Sequence, residues 1–247
     1  MNISFAGDTV AVSGAGHGFG RVIAQTFADL GARVFACDIS ADNLAETAKG
    51  RDITTAVVDL GDRKAGKAWI AGIGAPVFCL VNNCGGVAGQ VFKPIEEVED
   101  AEWDRIYAIN VNAAMVLSRA AVPGMKTLGR GRIINITSGA GLQASLTGIQ
   151  AYCSAKHALV GLTRQLAHEL GKFNITVNSV APGFIRSNPS TEKQWDSYGA
   201  EGQKALVNRI ALRRLGTSQD IANGCVFFAS ELGSFVTGQI MPVDGGK

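Results

Sequence analysis

The sequence predicts an α/β fold: a doubly wound parallel sheet in a single domain, three-layer α/β/α. Three observations predict it. Short apolar runs rich in Val and Ile alternate with longer segments of helical period. The runs are apolar on both faces, as strands must be when helices cover a sheet on both sides. No internal repeat and no linker-like change of composition interrupts the 247 residues, so residues 1–247 read as one unit.

The first run, Thr9–Ser13, feeds a glycine-rich turn and a helix expected over Phe19–Leu30. Arg33–Cys37 is the second strand, followed by a helix over Ala41–Lys49 for which Ser40 is a candidate cap. Thr54–Val58 precedes a helix over Asp62–Ile73, and Val77–Val81 leads to the long helical segment Ala101–Leu128. Arg132–Thr137 precedes the helix Gln150–Phe173. Thr176–Ala181 opens into a long irregular stretch, Gly183–Gly202, of a length usually reserved for function. Ser218–Ser230 and the strand Gln239–Val243 complete the chain. Right-handed crossovers between parallel strands then wind the sheet in both directions.

Composition narrows the function. A net charge of +2 without blocks of like charge argues against a nucleic-acid or membrane-surface partner. Five dispersed cysteines without a C-x-x-C pair suit a reducing compartment. The first residues lack a basic and apolar leader, and no run reaches the ~18 apolar residues a membrane helix needs. A cytoplasmic protein is the expectation. His157 and His168 share roughly one helix face, but no third ligand completes a metal site, so none is expected.

The turn Ser13-Gly14-Ala15-Gly16-His17-Gly18-Phe19-Gly20 lies between strand and helix at the start of a βαβ unit. A pyrophosphate needs backbone N–H groups and a helix N-terminus within reach, and any Cβ would hold it away. In that context the glycines read as a Rossmann-type dinucleotide site. Asp38 ends the second strand, 18 residues beyond Gly20. A carboxylate there can accept hydrogen bonds from ribose hydroxyls and repels a 2′-phosphate, which favours NAD over NADP. The alternative is a turn or capping Asp, and His17 and Arg21 could attract extra negative charge. Asp59, after the third strand, could meet the adenine edge or cap the next helix.

Tyr152 and Lys156 stand four apart on one helix face. Tyr107 and Tyr198 have no such lysine. A phenol is a poor base at neutral pH, but an ammonium and the charge of oxidised nicotinamide would stabilise its phenolate. It could then take a hydroxyl proton as hydride leaves. Ser138 follows a strand in the crevice where doubly wound sheets bind ligands, and could hold the substrate oxygen.

Taken together, the chain resembles the short-chain dehydrogenase/reductase family from Val10 to its last residues. The matching motifs are Ser13-Gly14-x-x-x-Gly18-x-Gly20, Asn82-Asn83-Cys84-Gly85, Asn110, Ser138, Tyr152-x-x-x-Lys156 and Asn178-Ser179-Val180-Ala181-Pro182-Gly183. The resemblance implies a catalytic tetrad of Asn110, Ser138, Tyr152 and Lys156. In it Tyr152 is the acid/base, Ser138 orients the substrate oxygen, and Lys156 holds the nicotinamide ribose and lowers the tyrosine's pKa. Asn110 anchors a water that relays protons, although Asn112 is a rival without the family register. It implies a cofactor path along Ser13, Gly14, Gly16, His17, Gly18, Phe19, Gly20, Asp38, Ile39, Asp59 and Leu60. The path continues past Asn82, Cys84 and Gly85 to Pro182, Gly183 and Ile185 beside the nicotinamide. It also implies a homotetramer of one-domain subunits.

The sequence departs from the family at Ser13 for Thr, at Cys84 for Ala, and in a Ser138–Tyr152 interval one residue longer than is common. Around the expected substrate lie Gln143, Gln150 and, in a covering segment taken as about 183–210, Arg186. An arginine fork suits carboxylates; the alternative is a surface residue on a loop. The expected activity is hydride transfer between NAD and the secondary alcohol or ketone of a small polar substrate, such as a sugar or sugar acid. The alternatives are a 3-oxoacyl thioester reductase using NADPH and, in another class, a catalytically silent dinucleotide-binding sensor.

Overall fold

A computed structural model describes residues 3–247. The first apolar run forms β1 (Thr9–Ser13), buried at every position, and turns into α1 (Gly18–Asp29). Then come β2 (Arg33–Asp38), α2 (Ala41–Ala48), β3 (Ile53–Val57), α3 (Arg63–Gly72) and β4 (Cys79–Asn82). The second half holds α4 (Asp100–Tyr107), α5 (Ala113–Leu128), β5 (Gly131–Ile136), α6 (Gln150–Leu170) and β6 (Ile175–Pro182). It ends with α7 (Pro189–Ser197), α8 (Gly199–Arg209), α9 (Ser218–Ala229) and β7 (Ile240–Val243).

All the strands pair in parallel, in the order β3-β2-β1-β4-β5-β6-β7. The order reverses between β1 and β4, which opens a crevice at the strands' carboxyl ends. Side chains alternate along each strand, so β1 sends Val10 and Val12 to one core and Ala11 to the other. The first core packs Ile23 and Phe27 of α1 with Ile221, Cys225 and Phe228 of α9. The second packs Trp69 and Ile70 of α3, Leu117 and Met125 of α5 and Leu170 of α6. Each such fully buried side chain contributes about 1.5–3 kcal/mol of burial free energy. Three layers follow.

The structure corrects two expectations. The segment Ala101–Leu128 is not one helix: a π turn over Ala108–Asn112 separates α4 from α5. Asn110 Nδ2 donates to Ile106 O at 2.9 Å, and Ala113 N–H reaches back to Ala108 O. A side-chain amide thus competes with the helical ladder at that point. The stretch Gly183–Gly202 is not irregular either, because α7 and the start of α8 lie inside it. Pro189 occupies the first turn of α7, where a missing N–H costs nothing, and Asn188 and Thr191 form a capping box.

Candidate active site

The glycine-rich turn is built so closely that side chains have no room. A Cβ on Gly14 would stand 2.9 Å from Cys84 Cα, one on Gly16 2.7 Å from the Asp38 carboxyl carbon, and one on Gly18 2.9 Å from Ser187 O. Gly14 and Gly18 also have positive φ, +63° and +56°. Ser13 Oγ accepts from Asn83 N and Cys84 N at 3.0 and 3.1 Å, and Asn83 Nδ2 donates to Ser13 O and Gly14 O. The turn is therefore pinned to the end of β4 with its backbone at the N-terminus of α1. That cradle fits a dinucleotide pyrophosphate.

Asp38 sits at the end of β2, where Oδ2 accepts from Gly16 N at 2.9 Å and Oδ1 from Ser40 N at 3.1 Å. Ser40, not Asp38, caps α2. Arg21 is committed to the turn, donating to Gly16 O, Thr47 Oγ1 and Asn43 O. His17 and Ile39 are exposed, whereas Phe19 packs against the first core. Asp59 accepts from Gly61 N and lies 3.9 Å from Arg105; the cap of α3 is Asp62. Leu60 buries its side chain in the second core, so only its backbone can face a nucleotide.

Asn82 points away from the cleft into the sheet. Its Nδ2 donates to Ser118 Oγ at 3.1 Å and to Asn135 Oδ1 at 2.8 Å. Asn135 donates to Thr163 Oγ1, which is 2.8 Å from Ser179 Oγ. This buried polar chain ties β4, β5 and β6 to α5 and α6. Pro182 ends β6, Gly183 N donates to Val243 O at 3.1 Å, and Ile185 is buried in the first core.

Ser138 lies two residues beyond β5 and accepts from Ala140 N at 3.1 Å. Tyr152 stands in the first turn of α6, half-buried, with its phenol beside Ser138. Lys156, one turn on, is 3% exposed; its Nζ donates to Ile136 O at 3.0 Å and lies 5.7 Å from the centre of the Tyr152 ring. Asn110 is fully buried and clamps Gly86 from both sides, accepting from its N–H at 2.9 Å and donating to its carbonyl at 2.8 Å. Gly85 lies between Asn110 and Lys156: a Cβ there would stand 2.5 Å from Asn110 Oδ1 and 3.3 Å from Lys156 Nζ.

The electrostatics differ from the simple expectation of a depressed phenol. Burial raises the Tyr152 pKa, and the neighbouring Ser138 hydroxyl pulls the other way. Burial also lowers Lys156 from 10.5 to about 8, with Cys84 opposing. A lysine near 8 can gain or lose a proton close to neutrality, and a phenol beside a serine can hand one to a bound oxygen.

The substrate-side residues separate. Gln150 Nε2 donates to Lys93 O at 2.8 Å, and Gln143 is exposed. Arg186 donates twice to Glu192 Oε2, at 2.8 and 2.6 Å. Sequence reasoning gave Asn83 no role beyond its place in the Asn82-Asn83-Cys84-Gly85 motif and missed Ser187. Asn83 was hidden by its neighbour Asn82, which it differs from only in facing the turn. Ser187 is 169 positions from Gly18, and only the path of the chain after β6 brings them together. Among the described residues no cluster of His, Cys, Asp and Glu can hold a metal, and no helix is long and apolar enough to cross a membrane.

Residues 14–247 match the family described as enoyl-(acyl carrier protein) reductase. The chain is similar to L-xylulose reductase of Bos taurus, 34% identical with 100% of this chain and 98% of that protein covered. It is likewise 34% identical to 3-oxoacyl-(acyl-carrier-protein) reductase of Rickettsia bellii, with 99% and 98% covered. A solved structure from Beutenbergia cavernae, described as an NAD(P)-dependent gluconate 5-dehydrogenase with NADP at low occupancy, superposes with a TM-score of 0.90. That match is 35% identical and covers 99% of this chain and 98% of the other. The chain belongs to the short-chain dehydrogenase/reductase family and is an oxidoreductase acting on CH–OH groups.

Proposed function

We propose that the chain is an NAD-dependent dehydrogenase or reductase that interconverts the secondary alcohol and ketone of a small polar compound, a sugar, sugar acid or related molecule. The observation that carries this reading is the meeting of Tyr152, Ser138 and Lys156 at the carboxyl end of β5. The bound dinucleotide supplies the hydride acceptor in one direction and the donor in the other. The Tyr152 phenol oxygen takes the substrate hydroxyl proton in oxidation and returns it in reduction. Ser138, which neighbours that phenol, orients the same substrate oxygen. Lys156 stabilises the phenolate and holds the nicotinamide ribose, and Asn110 anchors the water that carries protons onward. The segment of about residues 183–210 covers the substrate within the single domain 1–247.

Asp38 supports NAD, since its carboxylate occupies the end of β2 where a 2′-phosphate would meet it. Arg21 directs its donors to Gly16 O, Thr47 Oγ1 and Asn43 O, which hold its guanidinium against the turn and α2. The second reading, a 3-oxoacyl thioester reductase using NADPH, is favoured by the likeness to the Rickettsia bellii enzyme and opposed by Asp38. A silent sensor is opposed by the presence of all four candidate catalytic residues. A homotetramer is supported by the edge strand β7, which is only partly buried, and by the full exposure of Phe235. The five free thiols support a reducing, cytoplasmic setting. The test is absorbance at the reduced-nicotinamide band with NAD or NADP and a panel of polyols, sugars and sugar acids. Turnover with NADP alone, or with none of the panel, refutes the reading.

A further inference from the structure

We infer that Glu192 is a specificity-determining residue that turns the site away from carboxylate-bearing substrates, because it already occupies the guanidinium such a substrate would need. The inference rests on the dehydrogenase reading above and narrows its substrate to an uncharged polyol or ketose.

The segment after β6 borders the cleft. Pro182 O lies 3.8 Å from the position of a Cβ on Gly139, beside Ser138, and Ser187 O bears on Gly18. Arg186 therefore stands on the stretch that joins the catalytic serine turn to the glycine-rich turn. Its Nε and Nη2 both donate to Glu192 Oε2, and its guanidinium lies over the Trp195 ring, 5.5 Å from the centroid. Trp195 in turn stacks on Phe184 at 6.1 Å.

Glu192 is held in place independently. It sits in the first turn of α7, where the helix dipole favours an anion. The preceding Thr191 closes the capping box with Asn188 and accepts from Ser187 N at 2.9 Å. Exposed ion pairs are weak in general. This one joins two short bonds, an aromatic stack and a capped helix, so its geometry exists before any substrate arrives.

A second cation, near the start of α6, shows the same arrangement. Lys93 Nζ lies 2.6 Å from Glu102 Oε1, and Lys93 O accepts from Gln150 at the start of α6. Arg186 and Lys93 thus each carry an internal carboxylate. A substrate acid would have to displace Glu192 or crowd a second carboxylate against it, and like charges at close range are costly. A hydroxyl meets no such barrier and can donate to the carboxylate.

The test compares substrates that share a skeleton, xylitol with xylonate and glucitol with gluconate, using NAD. Wild type is expected to favour the polyol in kcat/KM. Glu192→Gln should raise the acid-to-polyol ratio by about tenfold, mainly through the KM of the acid. Glu192→Ala should do the same, and adding Arg186→Ala should return the ratio towards wild type. An acid preference in the wild type, or turnover with a ratio that neither Glu192 variant changes, overturns the filter alone. Absence of turnover on every pair overturns the dehydrogenase reading and the filter with it.

Discussion

Replacing Lys156 by Met should make the chain more stable while silencing it. The ammonium is buried, and burial lowers its pKa from 10.5 to about 8. At about 1.4 kcal/mol for each tenfold change in proton affinity, carrying the charge costs the folded protein about 3 kcal/mol at neutral pH. Loss of the hydrogen bond to Ile136 O offsets about 1 kcal/mol. Lys156→Met should therefore gain about 2 kcal/mol. Below pH 8 folded and unfolded wild type both hold the proton, and the folded state bears the full cost. Between about 8 and 10.5 the unfolded chain keeps a proton that the folded chain has lost, so wild type gains stability as pH rises. The variant lacks that slope, and its advantage should shrink across the window. Urea unfolding without nucleotide, at neutral pH and near the upper end of the window, measures both quantities. A variant less stable than wild type at neutral pH, or an advantage that does not change with pH, would refute the reasoning.

Asp38→Ala should raise the NADP-to-NAD ratio of kcat/KM by about one to two orders of magnitude, measured as initial rates with each nucleotide. Gly16→Ala, whose new Cβ would press on the Asp38 carboxylate, should abolish NADH binding in a fluorescence titration while far-UV circular dichroism stays unchanged. Asn135→Leu cuts the buried chain between Asn82 and Thr163 and should cost about 2–4 kcal/mol in chemical denaturation, since both neighbours lose a buried partner.

Strands and long helices were legible because burial imposes a period: β1 alternates between two cores, and α1 lays Ile23 and Phe27 on one of them. Gly14, Gly16 and Gly20 were legible because tight turns against a helix N-terminus admit no side chain. The π turn was not, since it depends on where Asn110 Nδ2 finds an acceptor, and the surrounding residues keep an ordinary helical pattern. Nor was α7: Pro189 and the serines look like loop until Asn188 and Thr191 are seen to cap a helix. Asp38 and Ser40 could each have capped α2 on sequence, and only the geometry assigns the cap to Ser40 and leaves Asp38 beside the glycine-rich turn. The state of Tyr152 was also out of reach, because neighbouring charge is visible in sequence while burial is a property of the fold.

Everything proposed for the site depends on the Tyr152 phenol exchanging a proton with the substrate oxygen. Measuring Tyr152→Phe at the reduced-nicotinamide band, alongside NADH titration of the same protein, separates that role from nucleotide binding. The expected result is a turnover reduced by about a thousandfold with NADH affinity within a few-fold of wild type. Turnover that survives the change, or an equal loss of nucleotide binding, would contradict it.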